Sequence, residues 1–382
     1  MADLTTRYVG LTLNNPIIIG SAGITSRAEL IARAAEAGAG AVVMKSLGDR
    51  VWRSPRFGII RRGGSFPSTT FYSVEGHSKL QEEEYALELA KAKAMVKIPV
   101  IASLTCLNDD DWVRRSALLD SAGADALELD ISCPHGAHVL IGKDSLAEVG
   151  RVTALVKSVV RIPVIPKLTP QATDPLAVAL DAEGSGADAI TAFNRFTGLE
   201  VDVREQRPIL HRGLAGHGGP WAIHYVMRWV AAMWPALRIP VSASGGVFGW
   251  EDVVKMLLVG ATTVQSCTAV ILGGYGVVTE MVRGLERYMV EMGHQTIEGF
   301  RGAAARGIEE AATIDRTRRF QAQIDVACCT ECGECARVCI YDAPHPSGEG
   351  GYQIDDRCSG CGLCADLCPA GAISVSRVAD PR

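Results

Sequence analysis

Lysine and arginine form no run anywhere in the 382-residue chain, and the formal net charge is −5. A nucleic-acid footprint needs a basic stripe, so nucleic acid is excluded as a partner. No apolar stretch reaches about 18 residues, and the opening MADLTTRYVG lacks a signal-peptide core. A membrane partner is therefore excluded, and a soluble, cytoplasmic protein is expected. No G-x-G-x-x-G fingerprint lies in a βαβ context, so the chain offers no evident nicotinamide site. Cysteine is scarce over most of the sequence: Cys106, Cys133 and Cys267 stand alone, and the other nine of the twelve follow residue 327. Those nine are spaced as metal ligands rather than as disulfide partners, which argues for a reducing compartment.

What the chain does have is 48% hydrophobic residues and 40 glycines, the composition of a compact, loop-rich α/β protein. Short apolar segments alternate with helical stretches. The strand candidates are Pro16–Gly20, Ala41–Ser46, Pro99–Leu104, Ala126–Ile131, Pro163–Leu168, Ala189–Phe193, Pro240–Ser244 and Thr263–Cys267. Runs this short and apolar fit strands buried on both faces of a parallel sheet. Several are preceded by a glycine-containing segment such as AGA or GADA, the chemistry of a helix closing before the next strand. Eight even units predict a (β/α)8 TIM barrel over residues 1–300, with a doubly wound sheet as the alternative. Residues 297–323 read as helix, giving a helical linker over 301–323 and a small α+β domain over 324–382.

That last domain carries the only internal repeat. CTECGECARVC contains Cys329, Cys332, Cys335 and Cys339, and CSGCGLCADLC contains Cys358, Cys361, Cys364 and Cys368. Both runs have the C-x2-C-x2-C-x3-C spacing of a bacterial-type ferredoxin with two [4Fe–4S] clusters, in which the fourth cysteine of each run serves the other cluster. One cluster would take Cys329, Cys332, Cys335 and Cys368, the other Cys358, Cys361, Cys364 and Cys339. A zinc site is the competing reading. Ile340 stands where a proline usually trails the first run, and Cys328 is a spare thiol.

A redox module beside a barrel directs attention to the carboxyl ends of the barrel strands, where barrel enzymes place their sites. GSAGITS follows the first strand, Lys45 ends the second and Lys167 the fifth, SASGGVFG follows the seventh and QSCTAVI the eighth. Loops after strands seven and eight commonly cradle phosphate, and a strand-end lysine can balance electron density on a reduced flavin. Each feature alone is weak, but their order along eight strands makes a set.

At this point the sequence resembles the FMN-binding dihydroorotate dehydrogenase family. With its cysteine tail it resembles the C-terminal part of dihydropyrimidine dehydrogenases and the matching subunit of the bacterial two-subunit form. The motifs that carry the resemblance are ADALELDISCPHG, PVIPKLTP, TAFNRFTG and the two cysteine runs, over nearly the whole chain. The resemblance implies FMN held by Ser21, Ala22, Lys45, Lys167, Gly216, Gly245, Gly246 and the Thr268–Ala269 backbone. It implies substrate contacts from Ser73, Glu75, Asp130, Ser132, Asn194 and Arg195, and makes Cys133 the catalytic cysteine. It also implies electrons exchanged with a separate NAD(P)H/FAD reductase subunit or a ferredoxin, and it allows a homodimer.

Adding hydride and a proton across a polarised C=C bond needs a proton donor opposite the hydride. A thiol, with a reference pKa near 8.5, keeps its proton at neutral pH yet can release it. Cys133 would then be general acid in reduction and general base in oxidation, whereas Cys106 and Cys267 read as packing residues. The pocket departs from the family: Ser73, Asp130 and Arg195 stand where amides and a threonine are expected, while Asn194, Glu75 and Ser132 match. Arg195 suits a carboxylate or pairs structurally with Asp130. The expected activity is a dihydropyrimidine dehydrogenase-like oxidoreductase acting on CH–CH groups. Dihydroorotate oxidation and a pure electron-relay subunit are the alternatives.

Overall fold

The computed structural model describes residues 2–49, 56–62, 68–131, 145–209, 214–348 and 350–378. The chain divides into two compact units, Met1–Ile308 and Glu309–Arg382.

In the first unit eight short strands form one parallel sheet: β1 (Ile17–Ile19), β2 (Ala41–Val43), β3 (Val100–Leu104), β4 (Ala126–Leu129), β5 (Val164–Pro166), β6 (Ile190–Ala192), β7 (Val241–Ser244) and β8 (Thr263–Ser266). Each lies inside a segment expected from the sequence. Neighbours run β1 to β5 in order, β8 pairs with β1 through Val264↔Ile17, and β6, β7 and β8 follow one another. A parallel bridge between Lys167 and Thr191 joins β5 to β6, so the sheet closes into a barrel and the doubly wound alternative falls away.

The glycine-bearing segments act as the sequence suggests. The helix Ala28–Glu36 ends at Ala37, and Gly38 then takes φ +93°, which lets the Ala39 amide return to the Ala34 carbonyl at 3.1 Å. Gly123, Gly186 and Gly260 repeat that left-handed closure after three later helices. The aspartates of two such segments tie neighbouring strands together. Asp125 accepts the Val100 amide and Asp188 the Val164 amide, both at 2.7 Å.

Side chains alternate along the strands, which sorts the barrel interior into layers. Ile18, Ala41, Val43, Ile101, Ala126, Ile165 and Ala189 fill one end with Tyr8 and Leu13 of an N-terminal hairpin (Thr6–Tyr8, Leu11–Leu13). One layer up, the same inward positions carry Glu128, Lys167, Thr191 and Gln265, all buried. A second sheet, not anticipated from the sequence, has four antiparallel strands in the order Phe196–Gly198, Ala215–Gly218, Ser68–Val74 and Arg56–Arg62. Its register sets Gly216 opposite both Ser73 and Thr197.

Residues 297–323 do not form the expected helix. Short 3-10 turns span Ile297–Gly299 and Ala305–Gly307, and Arg319–Ile324 is a strand. Gly302 at φ +74° breaks any continuous helix, and the strand instead pairs with Ile373–Val378. In the second unit, Pro344–Pro346 pairs with Tyr352–Ile354, and short helices Glu334–Val338 and Leu363–Leu367 each follow a left-handed glycine.

Candidate active site

At the carboxyl ends of the barrel strands lies a cavity of about 1110 Å³, mouth included, between the barrel and the four-stranded sheet. Ser21, Ala22, Lys45, Glu75, Asp130, Lys167, Asn194, Arg195, Gly245, Gly246 and Thr268 all border it. Three other expected residues sit behind the wall: Ser73 and Ala269 are buried, and Gly216 lies under Arg195. Ser132 and Cys133 fall outside the described residues, as does most of the loop that follows them.

The floor is a buried charge network that the sequence reading passed over. The Glu128 carboxylate, 1% exposed, accepts Lys167 Nζ at 3.1 Å, Gln265 Nε2 at 2.7 Å and Thr191 Oγ1 at 3.0 Å. Burial works against the charge on Lys167, but Glu128 and Asp130 outweigh it and hold its ammonium above the ordinary lysine value. A signal was present: Glu128 and Asp130 share the inward face of a strand otherwise apolar.

Above the floor, each charged side chain has its own neighbour. Lys45 pairs with Glu75 at 3.3 Å, and Glu75 also accepts the Gly23 amide at 2.8 Å. Asp130 accepts Asn194 Nδ2 at 2.7 Å and Ser46 Oγ at 3.4 Å, and Ser46 continues a hydroxyl chain to Ser21 and Ser103. Burial pushes the Asp130 carboxyl upward against the pull of Lys167. Arg195 donates to Ser73 Oγ, not to Asp130. Of the isolated thiols, Cys267 borders the cavity and Cys106 does not; burial pushes them up to about 11 and about 12, so both stay protonated and inert. His217, another wall residue the sequence reading left without a role, stacks on Tyr72 and hydrogen-bonds the Ala215 carbonyl through Nδ1 at 3.0 Å.

These residues fit a flat, phosphate-bearing cofactor. Gly245 and Gly246 have φ of +119° and +78°, and a Cβ on Gly246 would lie 2.3 Å from the Ile223 nitrogen, so only glycine lets the backbone run there. This leaves the loop after β7 bare of side chains, beside Thr268 after β8, with two lysines set into the same cavity.

The second unit holds two smaller cavities. One, of about 320 Å³, is bordered by Cys329, Cys332, Cys335 and Cys368; the other, of about 280 Å³, by Cys339, Cys358, Cys361 and Cys364. The fourth thiol of each run thus lies with the other run's first three. No group of three His, Cys, Asp or Glu among the described residues is drawn together as ligands of a lone ion. Backbone amides already point at sulfur: Gly360 donates to Cys358 at 3.4 Å and Ala372 to Cys368 at 3.3 Å.

A closed β/α barrel with a lysine-lined, glycine-edged mouth, in one chain with a unit that has paired four-cysteine cavities, defines a flavin and iron–sulfur oxidoreductase. The dihydroorotate dehydrogenase family profile matches residues 3–289, and a 4Fe-4S binding domain profile matches residues 352–374. The chain belongs to the dihydroorotate dehydrogenase family, whose cofactor is FMN, and it acts on CH–CH groups. It is 30% identical to the NAD-dependent dihydropyrimidine dehydrogenase subunit PreA of Escherichia coli strain K12, covering 98% of this chain and 96% of that one. It is 34% identical to the catalytic subunit of dihydroorotate dehydrogenase B (NAD(+)) of Pyrococcus furiosus, over 77% of this chain and 96% of that one. The dihydropyrimidine dehydrogenase relative matches over nearly the whole of both chains, whereas the dihydroorotate dehydrogenase relative covers about three quarters of this one.

Proposed function

We propose that the chain is the catalytic subunit of a dihydropyrimidine dehydrogenase-like enzyme. It would reduce or form an activated C=C bond in a pyrimidine-like ring, with electrons passing through two [4Fe–4S] clusters. The observation that carries this reading is the partition of eight cysteines into two four-thiol cavities in a chain that also has the FMN barrel.

Bound FMN supplies the hydride acceptor or donor. Lys167 and Lys45 would oppose negative charge on the reduced ring, and the Gly245–Gly246 backbone with Thr268 would take the phosphate. Asn194 and Glu75, which border the cavity, would meet a ring edge. In the sequence Cys133 follows β4 by four residues, and it would hold the proton that enters or leaves the carbon next to the hydride-bearing one.

Since the sequence has no dinucleotide fingerprint, electrons would come from a separate NAD(P)H/FAD reductase subunit or a ferredoxin, in the cytoplasm. The purified chain is accordingly expected to oxidise NADH at a negligible rate while dithionite bleaches its flavin within mixing time. Anaerobic stopped-flow absorbance checks this, and rapid NADH oxidation by the chain alone would contradict it. Turnover of uracil or thymine with a reductase added tests the substrate assignment.

A further inference from the structure

Among the described residues, one charged side chain of the cavity forms no ion pair. Lys45 has Glu75, Lys167 has Glu128, and Asp130 is engaged by Asn194 and Ser46. Arg195 makes no ion pair among the described residues, and its guanidinium has a single side-chain partner, the neutral hydroxyl of Ser73. The ion pair with Asp130, left open by the sequence, is not formed.

The head group is nevertheless held in one place. Ser73 is completely buried, so the hydroxyl that accepts from Arg195 is itself fixed. On the adjacent strand Gly216 supplies a bare Cα: a Cβ there would sit 2.7 Å from Arg195 Cζ and 3.0 Å from both Nε and Nη1. The guanidinium therefore lies against glycine backbone, steered by one hydrogen bond, and its other donors have no partner among the described residues. A cation with five N–H donors, locked in position and lacking a carboxylate, is built for a planar anion. The glycine pair suited to phosphate follows β7, whereas Arg195 follows β6 beneath the antiparallel sheet, so the two anion-binding elements are separate.

We propose that Arg195 anchors a carboxylate of the substrate, making the preferred substrate class a small unsaturated or dihydro carboxylic acid rather than a neutral ring. This rests on the oxidoreductase reading above and narrows it. Ser73 and Gly216 act as positioning residues: one aims the guanidinium, and the other leaves room for it.

The test uses anaerobically purified holoprotein and matched probes that differ only in charge: orotate against uracil, benzoate against benzamide, fumarate against fumaramide. Each is titrated while perturbation of the oxidised-flavin spectrum is followed. The carboxylates are expected to bind about 10- to 100-fold more tightly than their neutral partners, the range of one charge-assisted contact. Arg195→Met should abolish that preference and Arg195→Lys should restore part of it. Gly216→Ala, which keeps the charge but pushes the head group aside, should weaken carboxylate binding several-fold. The proposal is overturned if no carboxylate outbinds its neutral partner, or if Arg195→Met lowers flavin retention yet leaves the preference intact. Failure of the oxidoreductase reading would show earlier and differently, as protein without flavin absorbance before any probe is added.

Discussion

Cys133→Ser is expected to lose most substrate turnover, by about 10²- to 10⁴-fold, the usual worth of a positioned general acid. Flavin content, iron content and reduction by dithionite should stay at wild-type levels. The reason is the chemistry of the second hydrogen: hydride alone leaves a carbanion next to the reacting carbon, and a positioned acid must protonate it. Cys267 is protonated but inert, with its thiol pushed up to about 11 by burial. Asp130 accepts from Asn194 and Ser46 rather than standing free. A serine hydroxyl fills the same space but is a far weaker acid, so binding should survive while turnover fails. Single-turnover reoxidation of pre-reduced enzyme separates the steps. An unchanged rate in Cys133→Ser would demote the chain to an electron relay, in which this thiol is dispensable.

Lys167→Met is expected to lower both stability and turnover, and a second substitution separates the two effects. Glu128 is 1% exposed, and Lys167 is the only cation bonded to it among the described residues. Removing the lysine leaves a buried carboxylate with only the neutral donors Gln265 and Thr191, a loss of about 3–5 kcal/mol in comparable buried pairs. The double variant Glu128→Gln/Lys167→Met removes both charges and should regain most of that stability. Turnover should not return, because the cation opposing charge on the reduced ring is still missing. Thermal melting of the wild type and the two variants, with steady-state rates, checks this. A double variant no more stable than Lys167→Met would mean that the pair does not set the stability of the barrel floor.

The sequence foretold the parts of the fold that local patterns determine. Eight apolar runs are buried on both faces, so each is legible without knowledge of its neighbours. The closing glycines at 38, 123, 186 and 260 mark where helices must end. The antiparallel sheet over the cavity was not legible, because its strands come from segments more than a hundred residues apart and gain their register only from each other. STTFYSV carried a β-rich signal, but nothing local says that Ser73 will meet Gly216 and Arg195. The Ala- and Arg-rich segment after residue 297 misled for the opposite reason: its composition favours helix, while Gly302 in a left-handed conformation and a partner strand at Ile373–Val378 decide otherwise. In the site, residue types at strand ends could be read directly. The pairing of charges could not, since the choice of Arg195 between Asp130 and Ser73 depends on angles between strands.

The central claim is that one chain joins a flavin to two four-iron clusters. Its most direct test is an anaerobic dithionite titration of the purified protein, followed by absorbance and low-temperature electron paramagnetic resonance, with iron and FMN measured on the same sample. The account predicts about four electrons per chain, two entering FMN and one each cluster, with about eight irons. Uptake of two electrons or fewer, or zinc in place of iron at the eight cysteines, would contradict it.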